Sequence, residues 1–122
     1  MIWKVLAGIA AVAMILSGVN AMFVGGDAWA MFALEPIGPE GASTIRADIA
    51  GMFLTSGVVT AVGLYQKRPD FLTVIGVMMI LIAVGRVAGI VLDGYAQQPF
   101  VFMIVEFVLA AILLMGARSI KA

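Results

Sequence analysis

Four apolar runs divide this chain: Val5–Val24, Ile45–Tyr65, Phe71–Leu92 and Phe100–Ala117. Each has the length, about 17–22 residues, that a helix needs to cross roughly 30 Å of hydrocarbon. Hydrocarbon offers no water to the backbone, so helix, with its hydrogen bonds internal, is the conformation expected of every run. Four strands would be too few to close a barrel. The pattern predicts an all-α, integral membrane four-helix bundle, with residues 1–122 forming a single domain.

The polar positions between the runs predict the connections. Gly25-Gly26-Asp27 should end the first helix, and Pro36, Gly38, Pro39 and Gly41 should keep the following stretch extended or turned. Between these breakers, Trp29, Met31, Phe32 and Leu34 are too apolar for a free loop. They predict a short interfacial segment over about residues 27–35, with Trp29 at headgroup level. Ser43 or Thr44 is a candidate cap for the second helix and Asp70 for the third. Gln66-Lys67-Arg68-Pro69-Asp70 is tight enough to force helices two and three to lie antiparallel. Pro99 suits the first turn of helix four.

Composition agrees with this reading. Of 122 residues, 64% are hydrophobic and only 11% charged, whereas soluble domains are roughly 45–50% apolar. Lys4, the apolar run behind it and Val19-Asn20-Ala21 have the outline of a cleavable signal. The run continues through Met22, Phe23 and Val24, so retention as an uncleaved first helix is expected.

Charge changes the picture more than composition does. Seven acids balance seven bases, yet Lys4, Lys67, Arg68, Arg118 and Lys121 all fall on one side of the four runs. Only Arg46 borders the other side. The positive-inside rule then places both termini and the central loop in the cytoplasm. Asp27, Glu35, Glu40, Asp48 and Asp93 lie on the opposite face.

Two charges fall deep within the apolar runs. Arg86 is seven residues before Asp93, about 10 Å below the outer end of helix three, and Glu106 lies about 9 Å below the outer end of helix four. A short loop joins these helices, so an Arg86–Glu106 ion pair is expected. Left unpaired at mid-helix, each charge would cost about 3 kcal/mol on insertion scales. Arg86, Gly89 and Asp93 share a face of helix three, Asp48, Gly51 and Thr55 a stripe of helix two, and Ser17 and Asn20 a face of helix one. The candidate polar set is therefore Asn20, Arg46, Asp48, Arg86, Asp93 and Glu106, all in the outer half. Either these residues pair among themselves and hold the helices in register, or they wall an outward-open pocket whose surplus carboxylate favours a cation, an amine or a polar lipid headgroup. The Gly85-xxx-Gly89 step is expected to serve packing inside the bundle.

Catalysis has little to build on. Cysteine and histidine are both absent, which removes thiolate nucleophiles, imidazole bases and His/Cys metal or haem sites. Carboxylates alone could still move protons, but no oxyanion hole or metal spacing is recognisable. No cofactor is implied, and no basic aromatic surface suits nucleic acid.

Arg46-Ala47-Asp48-Ile49-Ala50-Gly51, Gly85-Arg86-Val87-Ala88-Gly89, Asp93-Gly94 and Glu106-Phe107 resemble a family of small four-span bacterial membrane proteins, domain of unknown function 4345. The resemblance implies a four-helix bundle in the bacterial inner membrane, with the Arg, Asp-Gly and Glu positions retained. It implies no activity. Expected functions are a non-catalytic accessory subunit of a larger membrane complex or a homo-oligomer; alternatively an outward-facing carrier of a small molecule or lipid; alternatively a carboxylate-dependent intramembrane enzyme. The lipid bilayer is the one partner common to all three.

Overall fold

The computed structural model describes residues 1–121. The chain begins with α1 (Ile2–Val19), which loosens into a π turn over Asn20–Val24. Two short helices follow, α2 (Gly26–Met31) and α3 (Gly38–Thr44). A second π turn, Ile45–Ile49, joins α3 to α4 (Ala50–Tyr65) without a break. Then come α5 (Pro69–Asp93) and α6 (Gln97–Lys121). No strand occurs among the described residues.

Four continuous helices are long and apolar enough to cross a membrane: Ile2–Val24, Gly38–Gln66, Pro69–Asp93 and Gln97–Lys121. The chain is a multi-pass membrane protein. In the bundle α1 packs most closely on α4 and α5 on α6, while α4–α5 and α6–α1 contacts close the ring.

Every span is longer than its apolar run. The largest difference is in the second, which starts at Gly38 and not near Ile45. Gly38 (φ +65°) turns the chain, and Pro39 sits in the first helical turn, where a missing N–H leaves no bond unmade. The residues expected to keep this stretch extended therefore start the helix. Ser43 and Thr44 are then interior and cap nothing; the Thr44 hydroxyl donates back to the Glu40 carbonyl at 3.2 Å. Asp70 does not cap α5 either. Pro69 opens that helix, and the Asp70 carboxylate pairs with Arg68 at 2.8 Å.

Small residues set the distance between α1 and α4. Ala7 and Ala11 are buried, and a Cβ placed on Gly57 would come within 2.7 Å of the Ala11 carbonyl oxygen and 2.9 Å of the Ile15 nitrogen. No side chain fits at that position. Gly116, on α6, packs against the start of α1 less tightly: its added Cβ would be 3.5 Å from the Trp3 carbonyl oxygen. The first and last helical ends therefore meet at one end of the bundle, called here the terminal end.

Toward that end the core is mostly apolar, built from Ala7, Ala10 and Met14 on α1, Leu72, Ile75 and Met79 on α5, and Ala110, Leu113 and Ala117 on α6. The α2 end is built differently. No residue of α5 beyond Ala83, and none of α6 before Ala110, is buried. A separate cluster of Ala21, Trp29, Ile45 and Ala50 gathers there around α2.

Gly57→Ala should force α1 and α4 apart and lower stability by about 1–3 kcal/mol, the range for overpacking a tight interior. Gly51→Ala, where an added Cβ meets nothing within 4 Å, should cost nothing measurable. Thermal unfolding of the two variants in one detergent checks the contrast.

Candidate functional site

At the end of α1, the π turn closes with the Gly25 amide donating to the Asn20 carbonyl at 3.3 Å. Two carbonyls of this turn are satisfied by side chains. The Trp29 indole Nε1 donates to the Ala21 carbonyl at 2.7 Å, and the Arg46 guanidinium donates through Nη1 to the Met22 carbonyl. The Arg46 guanidinium also lies over the Trp29 ring, 4.8 Å from its centroid. The cation thereby stands at the negative pole of α1, where a positive charge is stabilised.

Gly25 makes this approach possible. Its φ of +77° is disfavoured for L side chains, and an added Cβ would sit 3.1 Å from Arg46 Nη2 and 3.3 Å from Trp29 Cζ2. The second π turn carries Arg46 itself. Trp29, expected at headgroup level, turns inward and is only 6% exposed. Its N–H finds an acceptor in α1, and its ring gains a cation.

The second cluster joins α5 and α6. Arg86 Nε donates to Glu106 Oε1 at 3.2 Å, with Nη2 and Oε2 a further 3.5 Å contact. The Glu106 side chain is 14% exposed and that of Arg86 30%. Arg86 also lies over the Phe102 ring, 5.2 Å from its centroid. Phe102 precedes Glu106 by four residues, so one face of α6 presents both the carboxylate and the aromatic ring.

Phe32, just past α2, links the two clusters. Its ring packs 5.2 Å from Phe53 of α4 and 5.8 Å from Phe102 of α6, centroid to centroid. Gln98 Nε2 adds a bond to the Met31 carbonyl at 3.1 Å. The segment carrying α2 is thus bonded across the end of the bundle, with Trp29 in one cluster and Phe32 against the other.

The six candidate residues do not form one network. Arg86 meets Glu106, and Arg46 joins Trp29 and the α1 carbonyls. Asn20, Asp48 and Asp93 are exposed and make no side-chain hydrogen bond or salt bridge among the described residues. Asp48 belongs to a π turn inside a continuous helix and not to a helix end. Gly89 does not pack within the bundle: Cβ atoms added there and at Gly85 would meet nothing within 4 Å. The two glycines instead line an open groove of about 520 Å³ with Arg86, Asp93 and Tyr95.

The aromatic partners Trp29, Phe32 and Phe102 are absent from the sequence-derived set. For Phe102 the i, i+4 spacing from Glu106 is a usable signal. For Trp29 and Phe32 the only signal is an apolar segment among turn formers. No group of three or more Asp or Glu is placed to hold a metal among the described residues.

Trp29→Phe keeps the ring beneath Arg46 and removes only the N–H, leaving the Ala21 carbonyl without its donor. A loss of about 1–3 kcal/mol is expected, against less than about 0.5 kcal/mol for Asp48→Asn on the exposed face. Chemical denaturation in micelles measures both.

No curated protein and no solved structure matches this chain. A family model does, over residues 2–117, and that range takes in three spans, most of the fourth and both polar clusters. The chain belongs to the family described as domain of unknown function DUF4345.

Proposed function

We propose that the chain is a non-catalytic structural subunit of the bacterial inner membrane, with both termini cytoplasmic, working as a homo-oligomer or within a larger membrane complex. The observation that carries this reading is the occupation of Arg86 and Arg46. Each guanidinium within the second and third spans is already held by groups of the same chain, an arrangement suited to locking helices. Glu106, the one carboxylate deep within a span, is taken up by Arg86. A general acid or base would need a free, positioned group, and these side chains are bound to each other.

The long outward faces are compatible with an assembling role. Ile2, Val5, Ile9, Val12 and Leu16 form an exposed stripe on α1, and Val101, Ile104, Val105 and Val108 another on α6. Lipid or neighbouring helices would cover them equally well. The orientation rests on Lys4, Lys67, Arg68, Arg118 and Lys121 sharing one end.

Glu106→Gln tests the locking role. It leaves Arg86 facing a neutral amide, and stability and recovery of the assembled species should both fall, by up to about 3 kcal/mol for the fold. A variant as stable and as assembled as the parent would remove the basis for a structural lock. Because the chain has no cysteine, single cysteines at Tyr95 and Lys121 report orientation cleanly. Tyr95→Cys should react with an impermeant maleimide from the periplasmic side and Lys121→Cys only after permeabilisation; the reverse pattern would invert the topology.

A further inference from the structure

The groove on α5 is filled by neither polar cluster, although Arg86 lines it. Its floor is formed where Gly85 and Gly89 carry no side chain, and Ile82 and Ile90 add apolar wall. It runs from Ile82 to Asp93, eleven residues of helix or about 16 Å. Hydrocarbon is roughly 30 Å thick, so the groove spans one leaflet and stops. A partner helix crossing the membrane would need a track about twice as long. A single lipid, from its headgroup to the first part of an acyl chain, fits one of this length.

The ends of the groove are chemically distinct. Asp93 is the last residue of α5 and stands where its span ends. A carboxylate there faces the negative pole of its own helix, and no cation among the described residues lies within salt-bridge distance. Tyr95, also exposed, adds a hydroxyl beside it. Seven residues deeper, about 10 Å along the helix, Arg86 gives Nε and Nη2 to Glu106. Its Nη1 has no acceptor among the described residues.

We infer that this groove is a binding site for one phospholipid with a primary-ammonium headgroup, of the phosphatidylethanolamine type. The ammonium pairs with Asp93, the phosphate and glycerol lie over Gly89, the ester oxygens accept from Arg86, and an acyl chain starts over Gly85 toward Ile82. Charge selects the headgroup. An anionic lipid such as phosphatidylglycerol carries the same phosphate but no cation to set against Asp93, and a quaternary ammonium has no N–H to donate to that carboxylate. The site adds a specific lipid to a structural subunit and does not require that reading to hold.

The test is native mass spectrometry of the whole chain released from vesicles of equimolar phosphatidylethanolamine and phosphatidylglycerol. The parent should retain one phosphatidylethanolamine in preference to phosphatidylglycerol by about tenfold, the worth of one charge-assisted hydrogen bond. Gly89→Leu fills the groove where no protein atom is in the way and should abolish the retained lipid; Gly85→Leu repeats the test should the first variant not fold. Asp93→Asn should keep a bound lipid and lose the headgroup preference. Equal retention of the two lipids by the parent overturns the proposal, as does undiminished retention in the leucine variants or an unchanged preference in Asp93→Asn. Recovery of the parent free of lipid, as monomer or dimer, also overturns it.

Discussion

A backbone carbonyl in hydrocarbon has to find its donor inside the protein, and at the end of α1 this requirement organises half of the structure. The π turn over Asn20–Val24 leaves the Ala21 and Met22 carbonyls to be met by side chains. Trp29 meets one, so α2 must fold back under the bundle end. Arg46 meets the other, so the second span must bring its own π turn alongside the first. The positive φ of Gly25 lets the chain turn tightly enough for both. Helix one, the short helix and the second span are joined by these few bonds.

The two ends of the bundle are held by different physics. Near the termini, alanine, glycine and leucine bring the helices close and dispersion does the rest. Toward α2 the pair α5–α6 has no buried residue of its own. Aromatic rings and guanidinium groups fill that region instead: Arg46 on Trp29, Phe32 between Phe53 and Phe102, and Arg86 between Phe102 and Glu106. Such an arrangement is specific in geometry, since each guanidinium has a fixed fork of donors to place. It leaves the far side of α5 open, and the lipid groove lies there.

Much of the fold is legible in the sequence because hydrocarbon thickness imposes a length that few other constraints produce. The juxtaposition of Arg86 and Glu106 is legible for a related reason: a short loop fixes their relative depth, and an unpaired charge is costly. The start of the second span is not legible, because Gly38 and Pro39 mark a turn and a first helical turn equally well. The inward turn of Trp29 is not legible, because the interfacial preference of tryptophan concerns depth and does not say which way the ring faces, and here the π turn after α1 supplies an acceptor. Gly89 is misread because a small-xxx-small step identifies a close approach without saying which side of the helix is approached. Arg46 and Arg86 both lie on the α2 side, but nothing in their spacing separates one cluster into two.

The central claim is that the α2 end is locked by a mutually dependent charge pair. It is tested most directly by a double-mutant cycle on Arg86→Met and Glu106→Leu, with unfolding free energies measured in one bilayer mimic. Each single replacement abandons a charge in a mostly apolar setting, whereas the double replacement removes both. The account predicts that the double variant is more stable than either single one. Losses that simply add would show that the two side chains act independently, and the lock would not exist.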